Sequence, residues 1–425
     1  MDGETSRYIV AFREYHDVDK HSGLLSAILG GVAWQHIPRK NPATRQFPSD
    51  FALVFLGRAR EQIETLLLDP SVKRVTKDTM YSRPTAEKAS HGTHPPPNVC
   101  RARRGTFGLT SWSRLERTPD GEHRYNKYRA PPFPFATDPW DGKGAPSLRR
   151  RRLTWGSSGD QERRYEHQDY AGDITGAFKA SLLWKAGHTG KGIKVAVFDT
   201  GIRADHSHFH NIEERTNWTD EPSLGDGLGH GTFVAGVIAS HQDCLGFAPD
   251  ASIYTYRVFT DQQVSFTSWF LDAFNYAIFR EMDVLNLSIG GPDWLDIPFT
   301  EKVEEAVAHK IVVVSAIGND GPLWGTLNSP ADMPFVLGVG GVDNYFDMAS
   351  FASRGMSTHE LPEGYGRMKP DVVSFSAGLR GSSTSEGCRR LGGTSVASPV
   401  IAGAVTLLAS VLPIEKRATL LNPAT

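Results

Sequence analysis

Three short segments each pair a reactive side chain with glycine-rich surroundings. Asp199 ends the apolar run Val195-Ala-Val-Phe198 and is followed by Thr200-Gly201, so a carboxylate stands where a buried strand gives way to a turn. His230 lies in Gly229-His-Gly-Thr-Phe-Val-Ala-Gly236, at the opening of an apolar helical run. Ser395 lies in Gly393-Thr-Ser-Val-Ala-Ser-Pro399, at a loop-to-helix junction, with Pro399 suited to the helix's first turn. Taken singly, each has an ordinary structural role: a turn residue, a structural histidine, a helix cap. Together they form a set for nucleophilic catalysis. A serine hydroxyl is a weak nucleophile and needs an adjacent base. His230 would take its proton and return it to a leaving amine, while a buried Asp199 would hold the imidazole's tautomer. A helix N-terminus at Ser395 offers main-chain N–H groups to a developing oxyanion. Asn319, in Ser315-Ala-Ile-Gly-Asn-Asp-Gly-Pro322, is by itself an asparagine suited to a turn; beside such a set it becomes a side-chain oxyanion donor.

These groups need elements to position them. From Asp173 onward, strand-like runs (193–198, 252–258, 284–289, 311–315 and 335–339) alternate with helical segments (231–240, 267–280 and 299–309). That alternation predicts an α/β domain with a parallel sheet covered on both faces, whose working residues gather beyond the carboxyl ends of the strands. Residues 8–78 form a separate small α+β unit, with strands at Tyr8–Phe12, Phe51–Leu56 and Val72–Val75 and an amphipathic helix between Arg60 and Leu68. Between them, residues 79–154 lose periodicity and are rich in Ser, Pro, Gly and Arg, which predicts an exposed linker ending in Arg149-Arg-Arg-Arg152.

Composition bounds the rest. The 425 residues, 39% hydrophobic and 22% charged, suit a globular chain of two or three domains. The formal charge of −2 argues for neither nucleic acid nor a membrane surface as partner. It is unevenly spread: Arg101–Thr154 holds 13 Lys and Arg against 5 Asp and Glu, leaving −10 on the remainder. Three cysteines exclude a disulfide-dense scaffold and have no metal-ligand spacing; a Cys244–Cys388 bridge is one pairing they allow. The start, Met1-Asp-Gly-Glu-Thr-Ser6, lacks the apolar core of a secretory leader. The uncharged stretch Leu391–Ile414 is punctuated by Gly and Pro and reads as a loop and buried helix rather than a membrane anchor.

The order Asp199, His230, Ser395, with Asn319 between the last two, resembles the subtilisin-like serine proteases over residues 190–412. The resemblance implies a doubly wound α/β fold with a mostly parallel central sheet, and catalytic roles for Asp199, His230, Ser395 and Asn319. It also implies that Ser288, Ile289, Gly290 and Gly291 form an extended segment pairing with substrate backbone. Segments such as Glu214–Thr219, Asp226–Ser240, Asp283–Pro292 and Gly366–Asp371 narrow it to the membrane-anchored branch of the secretory pathway that cuts precursors of membrane-bound transcription factors. The implied organisation is an inhibitory propeptide (1–80), a basic linker with a processing site (81–154) and a peptidase domain (155–425).

Within that frame Arg151-Arg152-Leu153-Thr154 resembles a cleavage sequence, with Arg four residues before the cut and an aliphatic residue two before it. Self-cleavage after Thr154 is expected; Arg74-Val75-Thr76 is a weaker second site. The partners implied are polypeptide substrates, including membrane-bound transcription factor precursors, and the chain's own propeptide. The implied location is the endoplasmic reticulum and Golgi lumen, where the sequon at Asn217 would carry a glycan. The resemblance makes structural calcium possible without identifying a site, and the chemistry needs no cofactor. The family's catalytic domain continues beyond the serine helix, so the end at Thr425 leaves an alternative reading: a silent, truncated form that binds as a propeptide-type inhibitor.

Overall fold

A computed structural model of the chain describes residues 6–82, 169–288, 290–291, 295–358, 366–413 and 416–417. The linker expected at 81–154 and the processing residues Arg151, Arg152, Leu153 and Thr154 therefore lie outside the described residues, apart from 81 and 82.

The N-terminal part runs β1 (Arg7–His16), α1 (Val18–Leu29), β2 (Trp34–His36), β3 (Ser49–Leu56), α2 (Ala59–Leu68) and β4 (Val72–Lys77). Its sheet has the order β2-β3-β1-β4, with β1 antiparallel to both neighbours. The helices cover one face, burying Val10, Phe12, Leu25, Val54 and Leu66. Helix α1 was not expected from periodicity; it is capped by Asp17, which accepts from Lys20 N at 2.8 Å. The expected secondary processing site falls inside β4, where Arg74, Val75 and Thr76 pair with Ala11, Val10 and Ile9. A peptide must be extended and unpaired to enter a protease cleft, so this placement argues against cleavage after Thr76.

The larger part opens with α3 (Ile174–Ala177) and α4 (Ser181–Lys185) after the short strand β5 (Met80–Ser82). It continues through β6 (Lys194–Asp199), β7 (Ile212–Asn217), α5 (His230–Ala239), β8 (Ser252–Arg257), β9 (Val264–Phe266), α6 (Thr267–Phe279) and β10 (Val284–Leu287). It closes with α7 (Ile297–Ala308), β11 (Val312–Ala316), β12 (Leu337–Val342), the pair β13 (Gly355–Met356) and β14 (Met368–Lys369), β15 (Val372–Phe375), the hairpin β16 (Leu379–Ser382) and β17 (Cys388–Leu391), and α8 (Thr394–Ala409). Seven strands form one parallel sheet in the order β15-β12-β11-β10-β6-β8-β7. Helices α5 and α8 pack one face and α6 and α7 the other, each over its own apolar cluster. The central strands are mostly apolar because both faces are covered, with Asn286 and Ser315 as buried polar exceptions. Chain order reverses beside β6, where β8 and β10 flank it on opposite sides, so the crevice of this doubly wound sheet opens at the carboxyl end of β6.

Several expected boundaries move, among them that of β1, anticipated at 8–12 and running to His16. The strand anticipated at 335–339 begins only at Leu337, and the one anticipated at 284–289 ends at Leu287. Pro399 is the sixth residue of α8, in its second turn, because the helix starts as early as Thr394. Among the described residues, no helix is long and apolar enough to cross a membrane.

The N-terminal part docks on α6 and α7. Helix α6 has no cap of its own at Phe266; instead Asp78 accepts from Ser268 N at 3.0 Å and Ser268 Oγ at 2.9 Å. A carboxylate satisfies the free amides and the positive end of that helix. Burial raises the Asp78 carboxyl above its ordinary range, with Arg7, 3.0 Å away, opposing. Arg39 Nη1 lies 2.9 Å from Asp272, whose burial pushes its carboxyl up to about 6. Lys302, buried on α7, reaches Asp50 at 2.9 Å.

Candidate active site

Asp199 is the last residue of β6 and His230 the first of α5. Their meeting follows from local sequence. A Cβ on Gly231 would stand 2.1 Å from Gly201 O and 3.2 Å from Asp199 Cβ, so only glycine lets the helix start approach the turn this closely. Asp226 then ties the two segments together. Its Oδ1 accepts from Thr200 Oγ1 and Gly229 N, and its Oδ2 from Thr232 N and Thr232 Oγ1, all at 2.7 Å. Thr200 Oγ1 in turn accepts from Gly231 N at 3.0 Å. This carboxylate does the work of the N-cap that Gly229 cannot supply. Asp226 had no assigned role in the sequence reading; the clue was its spacing, four residues before His230 and six before Thr232.

The resulting geometry brings Asp199, His230 and Ser395 together. His230 Nδ1 is 2.7 Å from Asp199 Oδ1, and His230 Nε2 is 3.2 Å from Ser395 Oγ. Asp199 is 1% exposed while the His230 side chain keeps 14%, so the carboxylate is shielded and the imidazole faces the opening. Asp199 Oδ1 also accepts from Thr200 N at 2.9 Å. Burial pulls the neighbouring Arg389 guanidinium below its usual range, against the charge of Asp226, and Arg389 donates to Gly229 O at 2.5 Å.

Ser395 is the second residue of α8. The helix is locked to the sheet by Ser398 Oγ, which donates to Asn286 Oδ1 at 2.7 Å, while Asn286 Nδ2 donates to Ser288 Oγ at 2.7 Å. Asn286 opens a second sequon, Asn286-Leu-Ser288, but is fully buried, which leaves no room for a glycan there. Asn319 joins the constellation from the loop after β11. Its Oδ1 accepts from Thr394 N at 2.8 Å and Thr394 Oγ1 at 3.1 Å, which leaves the Nδ2 side of the amide as the donor. A Cβ at Gly393 would lie 3.3 Å from Ser395 Oγ and 3.6 Å from both Asn319 amide atoms. The bare glycine therefore keeps the space between hydroxyl and amide open.

Of the expected substrate segment, Ser288 is buried after β10, Ile289 lies outside the described residues, and Gly290 and Gly291 follow. Gly291 exchanges both main-chain bonds with Ser329, Gly291 N to Ser329 O at 2.8 Å and Ser329 N to Gly291 O at 2.9 Å. That residue is thus already paired. Strand β9 accepts another strand: β5 runs antiparallel to it, Met80 opposite Phe266 and Ser82 opposite Val264. Asn217 sits at the end of edge strand β7, half-buried, its Oδ1 accepting from Thr219 N at 2.9 Å and its Nδ2 donating to Glu221 O.

Cys244 and Cys388 form a disulfide with Cα atoms 6.1 Å apart, fastening the β16–β17 hairpin to the segment after α5. With His208 they make the one group of three His, Cys, Asp or Glu ligand atoms found among the described residues. Two of those atoms are joined to each other, and sulfur and imidazole do not suit calcium, so this group does not fit the ion.

Comparison with known proteins agrees with this architecture. Residues 190–424, more than half of the chain, match the subtilase family, and residues 5–79 match the membrane-bound site-1 protease family N-terminal domain. Subtilisin-like protease SBT6.1 of Arabidopsis thaliana is 48% identical over 99% of this chain and 37% of its own length. Membrane-bound transcription factor site-1 protease of Homo sapiens is 46% identical over 98% of this chain and 37% of its own length. Subtilisin E of Bacillus subtilis is 34% identical over 55% of this chain and 60% of its own length. The chain thus spans little more than a third of the first two relatives.

Proposed function

The chain belongs to the subtilase family, and from that membership we propose that it is a serine endopeptidase made as a self-processing zymogen. The observation that carries this reading is the continuous relay from Asp199 through His230 to Ser395, at 2.7 and 3.2 Å. Ser395 Oγ attacks the scissile carbonyl while His230 Nε2 takes its proton, and Asp199 holds the Nδ1–H tautomer and stabilises the imidazolium. Asn319 Nδ2 and a main-chain N–H at the start of α8 receive the oxyanion; a side-chain donor of this kind contributes about 3–4 kcal/mol in subtilisin. His230 then protonates the leaving amine, and water enters to release the acyl group by the same steps reversed.

The substrate lies extended between β9 and the segment from Ser288 to Gly290, Gly291 being paired with Ser329, and residues 1–80 act as the propeptide. The pairing of β5 with β9 supports that role, since the segment that leads out of the propeptide then occupies a strand position a substrate would use. The sequences cut carry Arg four residues and an aliphatic residue two residues before the bond, as in Arg151-Arg-Leu-Thr154. Similarity to the human site-1 protease supports membrane-bound precursors, including those of transcription factors, as substrates, within the lumen of the secretory pathway and with a glycan on Asn217. Structural calcium is consistent with the family and takes no part in the chemistry.

Expression of residues 1–425 and of Ser395→Ala in a secretory host tests this. Processing after Thr154 and hydrolysis of an Arg-x-Leu-Thr peptide by the first alone is the expected result. Identical unprocessed masses and no hydrolysis by either would refute it and leave the inhibitor reading.

A further inference from the structure

Strand β5, which follows the N-terminal part, fills a defined slot beside β9 with one side chain. Tyr81 stands opposite Ser265 in the β5–β9 pair. Its ring meets Phe270 edge-on at 6.2 Å and Phe299 at 6.5 Å between centroids. Gly291 closes another side, since a Cβ there would stand 2.9 Å from Tyr81 Cε1. At the far end, the phenol O–H donates to Asp296 Oδ2, which also accepts from Thr267 Oγ1. Asp296 Oδ1 caps α7, accepting from Phe299 N at 3.4 Å. Among the described residues no Lys or Arg pairs with Asp296, whereas the neighbouring carboxylate Asp78 is matched by Arg7.

A half-buried carboxylate without a cation, at the end of an aromatic slot beside a strand-accepting edge, is poorly matched to a neutral phenol. It suits a guanidinium, which lays its face on aromatic rings and pairs a carboxylate through its forked N–H groups. We propose that Asp296 reads the substrate's arginine, and that Tyr81 is a neutral occupant of the same slot in the uncleaved chain. This deepens the endopeptidase reading and rests on it: the arginine concerned is the one four residues before the cut. Helix capping alone would explain Oδ1 but not the second oxygen, which faces the slot.

Two measurements test it, one independent of turnover. In the first, kcat/KM is compared for Arg-Ser-Leu-Thr and Ala-Ser-Leu-Thr peptides with the wild-type chain, Asp296→Asn and Asp296→Ser. Both substitutions retain a side chain that caps helices. The Arg-to-Ala ratio should be at least tenfold for wild type, as expected of a charge-assisted pair, and fall toward one in both variants. In the second, the full chain carrying Ser395→Ala is unfolded thermally with Tyr81→Arg or Tyr81→Ala, each alone and combined with Asp296→Asn. The advantage of arginine over alanine in the slot should be present with the native aspartate and vanish with Asp296→Asn. An Arg-to-Ala ratio that survives both Asp296 substitutions, or a thermal cycle without coupling, overturns the assignment. Coupling in the cycle with no cleavage of either peptide would uphold the slot's preference for arginine through Asp296 and defeat the endopeptidase reading instead.

Discussion

Asp226 is the residue whose replacement would best expose how the site is assembled. It accepts four hydrogen bonds at 2.7 Å, two per oxygen, from the turn after β6 and the first turn of α5. Asp226→Asn keeps the shape but turns one oxygen into an N–H donor. Whichever way the amide is placed, that donor faces one hydroxyl and one main-chain N–H. The hydroxyls of Thr200 and Thr232 can rotate away; the N–H of Gly229 or Thr232 cannot, and one of them is left unsatisfied. A hydrogen bond to a charged acceptor contributes roughly 1.5–3 kcal/mol. The lost charge at the helix N-terminus adds about 0.3–1 kcal/mol. The sum predicts about 2–4 kcal/mol of destabilisation, a fall in melting temperature of several degrees. Because the same bonds hold His230 against Asp199, a displacement of about 1 Å would also lower kcat by up to about 100-fold with KM little changed. Thermal unfolding and peptide kinetics on the purified variant decide the matter. Unchanged stability together with unchanged kcat would show that Asp226 does not position the relay.

Asn319→Ala should fold, with a melting temperature lowered by a few degrees because buried Thr394 N loses its acceptor, and turn over peptides roughly hundreds-fold more slowly at similar KM, measured by steady-state kinetics. A parallel rise in KM would instead point to lost ground-state binding. The N-terminal part should weaken as the pH falls. His21 is fully buried, stacked on Phe12 at 4.6 Å, with neither ring nitrogen partnered among the described residues. Burial, with Arg39 and His16 nearby and Asp50 opposing, pulls its imidazole down to about 4. A base with a depressed folded-state pKa stabilises the fold above its ordinary value of 6.5, and that stability is lost as pH drops toward 4. At most about 3 kcal/mol is at stake, and His21→Phe should remove it. Denaturant unfolding of the Ser395→Ala chain at pH 7.5 and pH 4.5 measures the difference; equal pH dependence in both proteins would refute it.

Much of the architecture was legible because both levels of pattern agreed. Strand β6 is apolar along its length and ends on Asp-Thr-Gly, so the buried strand, its turn and its carboxylate could be read together. The serine and histidine segments carry glycines at the positions where the fold brings backbone close, as Gly231 shows. Helix α1 escaped notice because Gly23 and its polar neighbours dilute the 3.6-residue repeat, and its stability comes from the Asp17 cap and from packing on the sheet. Pro399 looked like a first-turn proline because helix starts are poorly marked when the cap is main chain and glycine. Asp226 and Asp296 were invisible for another reason. Each is an ordinary acidic residue in sequence that also serves a nearby helix start, and what sets it apart is its distant partners, Thr200 for the first and Tyr81 and Thr267 for the second.

The central claim is that Ser395 is made nucleophilic by His230. Labelling with a fluorophosphonate, which reacts with activated serines, tests it without any choice of peptide. The account predicts a single adduct by intact mass, mapped to Ser395, absent in Ser395→Ala and slowed by at least about 1,000-fold in His230→Ala. Equal labelling of the wild type and His230→Ala, or an adduct on another residue, would contradict it.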